Sequence, residues 1–243
     1  MAIITAFVNG VLRILAVLEN REKETVKKFF LSIPKRLRKK IKAVCSDLNI
    51  GFINAAQEVF GKKIRIVADR FHVARLYREK LDNLRKKEMK RLKKKLSEKE
   101  YQKLKNVMWI LRKSPDLLTE KEKKVLKLLF KYSPDLKLAY DLCYKLTDIF
   151  NMKIGQGAAK RKIKAWIRRV QKSGLKIFDS FIETLLLRMK EVTNYFVDRH
   201  NSGFVEGLNN KIKVLKRRCY GIVRINSLFK RIWLDLEGYG NYA

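Results

Sequence analysis

The sequence predicts an α/β fold in which strands are confined to residues 1–72 and helices alone follow. Three observations carry that prediction. A hairpin, a helix, a strand, a helix and a strand alternate between Ile3 and Ala68, the pattern of a layered α/β unit. From His72 to about Arg199 the signals are helical only, with capping boxes, apolar stripes and a closing glycine. Hydrophobic residues make up 47% of the 243, enough for a packed core rather than a disordered chain.

The elements follow in order. Ile3 to Val8 is an apolar run, Asn9-Gly10 is a two-residue turn signal, and Val11 to Leu18 is a second run. Arg13 alone interrupts the apolar pattern, so the hairpin is expected to be buried on both faces. A helix is predicted from about Glu22 to Leu31, ending before Pro34, then a strand over Ile41–Cys45. A helix from about Ile53 to Phe60 and a strand over Ile64–Ala68 complete the first part. Beyond it, Ser97-Glu98-Lys99-Glu100 and Thr119-Glu120-Lys121-Glu122 are capping boxes opening amphipathic helices. Ser133-Pro134-Asp135 opens another with proline at its first position. Gly174 closes one that carries Ile163, Trp166, Ile167 and Val170 on a single face. Between Arg85 and Lys95 lies a dense basic run, which fits a solvated helix face or a phosphate contact equally well.

Charge narrows the partner. The chain has 58 Lys and Arg against 24 Asp and Glu, for a formal net charge of +34. A surface rich in both signs would pair its charges, but here the cations are far in excess, and a polyanion such as nucleic acid is the natural complement. Three widely spaced cysteines, Cys45, Cys143 and Cys219, form no C-x-x-C pair and argue against disulfide or structural zinc frameworks. The apolar N-terminus lacks a basic leader and is broken by Asn9-Gly10 and Arg13, a poor fit to a signal peptide. No stretch approaches the ~18–20 apolar residues of a membrane span. A cytoplasmic protein is expected.

Three places set polar groups where chemistry is plausible. Asp47 ends an apolar strand, where open α/β sheets place ligands, or it caps the next helix. Asp69-Arg70-Phe71-His72 ends the following strand. If the two strands are parallel neighbours, Asp47 and Asp69 share an edge; Asp69 is equally suited to N-cap a helix with His72 in its first turn. His72, one of two histidines, is either a general base or a structural group. The third place runs from His200 to Gly221. As a helix it puts Val205, Leu208, Ile212 and Leu215 on one stripe, and Glu206, Asn210, Lys213 and Arg217 on another. An acid near a helix start also suits the dipole. The alignment of one acid with amides and cations fits a metal-holding carboxylate beside phosphate-gripping groups better. Phosphodiester transfer needs such carboxylates from several elements, because a pair of Mg²⁺ ions roughly 4 Å apart clamps the attacking and leaving oxygens.

Taken together, Val44-Cys-Ser-Asp47, Asp69-Arg-Phe-His72 and Val205-Glu-Gly-Leu-Asn-Asn-Lys-Ile-Lys213, ending in Lys-Arg-Arg-Cys-Tyr-Gly221, resemble the insertion-sequence transposases of the ISL-three type. The resemblance runs from the hairpin to about Trp233. It implies a ribonuclease-H-like core interrupted by a large all-α insertion, with residues 1–72 the first part of the core, 73–199 the insertion and 200–243 its completion. It implies metal-dependent cleavage and joining of DNA by an Asp-Asp-Glu triad using Mg²⁺ or Mn²⁺. Asp47 matches the second carboxylate and Glu206 the third, both catalytic and metal-binding. Asp69, His72 and Asn210 would support the site, and Lys211, Lys213, Lys216, Arg217 and Arg218 would line DNA phosphates. The implied partners are DNA, as transposon ends and target, and a second copy or full-length transposase. No membrane or small-molecule cofactor is implied, and the expected location is the cytoplasm, at the nucleoid.

The front of the chain departs from the pattern. The family's first Asp lies on the first, central strand, yet no acidic residue precedes Glu19 here. The hairpin therefore matches the second and third strands, and the triad's first Asp and its strand are expected to be absent from this chain. Impaired catalysis follows, with a non-catalytic DNA-binding remnant that interferes with a full-length transposase as the alternative. A basic helical RNA-binding factor is weaker, since no aromatic stacking platform is evident on a sheet.

Overall fold

A computed structural model describes residues 2–8, 11–199, 210, 212–215, 217–218 and 224–237. The fold is a mostly helical α/β arrangement with a few short strands. The chain divides into two compact units, residues 1–67 with 200–243, and residues 68–199.

In the first unit, β1 (Ala2–Val8) and β2 (Val11–Leu18) form an antiparallel hairpin. Val8 pairs with Val11, so two residues connect the strands; the conformation of the Asn9-Gly10 turn lies outside the described residues. The register slips between Ile4 and Thr5, where Leu15 is the extra residue of a bulge. That bulge resets the side-chain phase. Ile14 and Val17, three apart and destined for opposite faces of a regular strand, are both buried. They share a core with Ile212, Leu215, Leu228 and Ile232, and Ile3 and Phe229 pack against it. Leu228 and Ile232 come from α12 (Ile225–Glu237).

The expectation of a hairpin buried on both faces is corrected at its turn end and at the bulge. Phe7 is 58% exposed, and Val11 and Leu15 are exposed with it. Ile3, Ile14 and Val17 pack on one face, while Leu18 on the other packs against the cluster around Val26 and Ile53, so the exposure lies at the turn end and at the bulge. Apolar composition alone cannot say where along a strand its cover ends.

A second core in this unit is built by α1 (Lys23–Ser32) and α3 (Ile50–Phe60). Val26 and Phe30 pack with Ile53, Ala55, Ala56 and Ile66. The small pair Ala55-Ala56, fully buried, allows close helix approach. Between these helices come the short α2 (Lys35–Arg38), absent from the sequence prediction, and β3 (Ala43–Ser46). Pro34 precedes the first helical residue of α2, so it both ends α1 and starts a new turn. Gly61 closes α3 at φ 91°, a conformation that only glycine adopts cheaply, and β4 (Arg65–Ala68) follows. β3 and β4 pair with each other, β1 and β2 pair with each other, and the two sheets remain separate.

The second unit is helical: α4 (Arg70–Lys95), α5 (Glu98–Gln102), α6 (Val107–Ile110), α7 (Glu120–Tyr132), α8 (Pro134–Asn151), α9 (Gln156–Lys172), α10 (Asp179–Leu187) and α11 (Met189–Asp198). Both predicted capping boxes form, at Ser97 with Glu100 and at Thr119 with Glu122. The first opens only a five-residue helix. Pro134 starts α8, and Gly174, at φ 71°, follows α9. Tyr77, Trp166, Phe178 and Phe181 form an aromatic centre, with Trp166 edge-on to both phenylalanines. Its polar atoms are satisfied: the Trp166 indole N–H donates to the Leu142 carbonyl at 2.8 Å, and the Tyr77 hydroxyl lies 2.7 Å from that of Thr147. No helix among the described residues is long and apolar enough to cross a membrane.

Candidate active site

Asp47 follows the last residue of β3. Its alternative role as a helix cap is taken by another residue. Asn49 is the N-cap of α3, its side-chain oxygen accepting from the backbone N–H of Gly51 at 2.8 Å and of Phe52 at 3.4 Å. An asparagine ahead of an apolar helix is itself a start signal, and it was available in Leu-Asn-Ile-Gly. Asp47 is thus released from local capping. Its Oδ2 accepts a charged hydrogen bond from the Arg21 guanidinium, which also lies over the Phe52 ring at 5.4 Å. Oδ1 is buried and has no hydrogen-bond partner. Burying a carboxylate oxygen without a partner is costly, and a hard cation is a ligand that would satisfy it. Asp47 thus offers one oxygen of the hard-donor kind that a divalent cation takes. Arg21 went unrecognised in the sequence because nothing in its neighbourhood distinguishes it from other surface arginines.

Asp69 follows the last residue of β4 and does cap a helix. One oxygen accepts from the Phe71 backbone N–H at 3.2 Å, and the other faces the His72 Nε2 at 3.5 Å. Asp69 is 1% exposed and His72 about one-third exposed. The sequence left open whether Asp69 and His72 belong to a helix start, and they do. The intervening Arg70 anchors that start inside the helical unit. Its guanidinium donates to the Tyr195 hydroxyl at 3.1 Å and to the Asn151 side chain, and lies over the Tyr195 ring. Arg199 approaches the same ring and donates to the carbonyls of Phe150 and Met152 at 2.9 and 2.7 Å. Those carbonyls end α8, where a cation is favoured by the helix dipole. Neither arginine was singled out from sequence, since their hydrogen-bond partners lie 47 to 125 residues away.

The third motif is described in part. Glu206, Lys211 and Lys216 lie outside the described residues, as do Val205 and Leu208. Asn210, 212–215, Arg217 and Arg218 are helical. Ile212 and Leu215 are buried against the hairpin, as their spacing predicted. Asn210, Lys213, Arg217 and Arg218 are exposed. Among the described residues, no group of three acidic, histidine or cysteine side chains is placed to hold a metal. The basic run of α4 is partly neutralised: Arg85 and Lys86 pair with Asp82, and Arg91 with Glu88.

Comparison with known proteins agrees with these motifs. The profile of the ISL3-type DDE family, described as transposase, matches residues 2–232. The transposase for insertion sequence element IS1001 of Bordetella parapertussis is 27% identical over 83% of this chain and 49% of its own length. The transposase for insertion sequence element IS1557 of Mycobacterium tuberculosis is 26% identical over 56% of this chain and 30% of its own. The chain thus spans about half the length of the first relative and less of the second. No solved structure matches. With the match running from the hairpin to α12, the chain belongs to the ISL3-type family of DDE transposases.

Proposed function

We propose that this chain carries two of the three carboxylates of a ribonuclease-H-like DNA strand-transfer site, Asp47 and Glu206. The observation that carries this is Asp47 itself: a strand-end carboxylate, freed from helix capping by Asn49, with one buried oxygen lacking any partner. Asp47 and Glu206 would hold Mg²⁺ or Mn²⁺, which neutralises phosphodiester charge and generates an oxygen nucleophile at neutral pH. Arg21 holds Asp47 in place until then. Asn210 supports the Glu206 helix face, and Lys211, Lys213, Lys216, Arg217 and Arg218 grip phosphates; the exposure of Lys213, Arg217 and Arg218 supports that role. Asp69 and His72 are positioning residues that fix the start of α4. Residues 73–199 are read as the helical insertion, and residues 1–72 and 200–243 as the core.

The triad's remaining Asp is proposed to come from a strand outside residues 1–243. Two separate two-stranded sheets, and relatives about twice as long, support that reading. The same split sheet favours a second reading, in which the chain by itself binds DNA without cutting it.

Nicking of supercoiled plasmid by the purified chain in Mg²⁺ or Mn²⁺ separates the two. Metal-dependent nicking that disappears in both Asp47→Asn and Glu206→Gln supports the catalytic assignment. Nicking that survives both substitutions refutes it. Salt-sensitive DNA binding without nicking selects the second reading, and an in-frame Asp-bearing strand in the DNA preceding codon 1 selects the first.

A further inference from the structure

We propose that the outer face of α9 is a docking surface for the phosphate backbone of duplex DNA. The inference rests on the reading of the chain as a DNA-strand-transfer protein and locates a contact surface in its helical unit. Helix α9 carries seven cations and no acidic residue. Its large apolar residues, Ile163, Trp166, Ile167 and Val170, are all buried. Arg161, Lys164, Arg168 and Lys172 recur at i, i+3, i+7 and i+11, which at about 100° per residue sets them directly opposite that buried stripe. All four are exposed. From Arg161 to Lys172 they extend for about 16 Å along the helix axis.

The geometry selects the occupant. Duplex DNA presents a negative charge roughly every 1.7 Å of its axis, so a straight row of cations meets several phosphates at once. Single-stranded nucleic acid is gripped by aromatic platforms as well as charge, and the aromatic side chain of this helix, Trp166, is in the core. A membrane surface needs apolar side chains to insert beside the basic ones, and here every large apolar residue of the helix faces inward. The basic run of α4 differs, because Asp82 and Glu88 pair with its arginines. With no acid in its sequence, α9 has no such internal neutralisation.

The test is the salt dependence of duplex binding by the full chain, read by fluorescence anisotropy with a labelled oligonucleotide duplex. Each phosphate contact contributes about 0.9 to the slope of log affinity against log salt. Replacing Arg161, Lys164, Arg168 and Lys172 with Ala together lowers that slope by roughly 3 to 4. A charge-matched control, Lys87, Lys90, Lys93 and Lys94 to Ala in α4, lowers it by less than half as much. Exchanging the four α9 residues between Lys and Arg, which keeps the charge, leaves the slope intact and shows that the loss is not misfolding. An unchanged slope in the α9 alanine variant, an equal loss in the control, or tighter binding to single strands or anionic vesicles than to duplex overturns this proposal alone. Absence of any duplex binding by the parent chain overturns the functional reading with it.

Discussion

Substituting Asp69 separates a structural carboxylate from a reacting one. Asp69→Ala removes the cap of α4, whose Phe71 N–H it accepts at 3.2 Å. Loss of an N-cap costs about 0.5–2 kcal/mol. The carboxylate is 1% exposed, so the orphaned N–H is poorly reached by water, and the upper half of that range, about 1–2 kcal/mol, applies. The 3.5 Å approach of His72 is too long to add a strong hydrogen bond. For a chain of this length each kcal/mol shifts the melting temperature by roughly 2–4 °C, giving a fall of about 2–8 °C. Asp69→Asn keeps a capping acceptor and loses only the charge at the helix start, about 0.3–1 kcal/mol. Thermal and urea unfolding followed by far-ultraviolet circular dichroism measure both. An asparagine variant as unstable as the alanine one refutes the capping argument. A stable asparagine variant that loses metal-dependent cleavage makes Asp69 a participant in the reaction, and the positioning role falls.

Other perturbations test neighbouring claims. Arg21 competes with a cation for Asp47, and an exposed ion pair of this kind is worth about 0.2–1 kcal/mol; Arg21→Gln should therefore tighten Mn²⁺ binding by roughly 1.4- to 5-fold, read by water-proton relaxation, and no change would remove Arg21 from the site. Trp166→Phe loses a core indole hydrogen bond to Leu142 and part of a buried ring, and should cost about 1–3 kcal/mol in urea unfolding. The Arg91 guanidinium beside Glu88 holds its carboxyl below the usual carboxylate range, with burial opposing. A depressed carboxylate contributes stability above its unfolded value and loses it as pH falls through the folded one. Unfolding midpoints should therefore drop toward acid, and less steeply in Glu88→Gln. Burial pushes the Cys143 thiol up to about 12, so iodoacetamide should label it only after unfolding.

The sequence was informative where local chemistry decides structure. Both capping boxes, the proline at the start of α8, the glycine after α9 and the buried stripe of Ile212 and Leu215 were all legible, because each depends on residues within a turn or two. What escaped depends on distant partners or on coverage. The hairpin's apolar runs could not reveal that Phe7 and Val11, at its turn end, are exposed, since strand composition does not say where along the strand the cover stops. The bulge at Leu15 shows no glycine or other marker. Arg70 reaches Tyr195 across 125 residues, and Arg199 the carbonyls of Met152 and Phe150 across 47 and 49, and no spacing rule reaches that far. Helix α2 is too short for periodicity to register.

Asp47 and Asp69 look alike in the sequence, each an aspartate ending an apolar strand ahead of a helix, and their local contacts divide them. The difference lies two residues on. After Asp47 comes Asn49, which accepts from two first-turn N–H groups of α3; after Asp69 comes the helix itself, so Asp69 must serve its first turn. A carboxylate spent on capping has its lone pairs directed at backbone donors and a histidine. A carboxylate relieved of capping keeps an oxygen for something else, and at Asp47 that oxygen is buried and unbonded. The Arg21 guanidinium engages one oxygen and leaves the other. The placement of a single asparagine thus separates a capping aspartate from one left free of capping, and moving the cap tests it. In Asn49→Ala, α3 loses its acceptor and Asp47 is the nearest replacement, so helix stability should fall by less than the full ~1 kcal/mol of a lost cap while Mn²⁺ binding weakens. Full loss of the cap energy with unchanged Mn²⁺ binding would show that Asp47 and the helix start are independent.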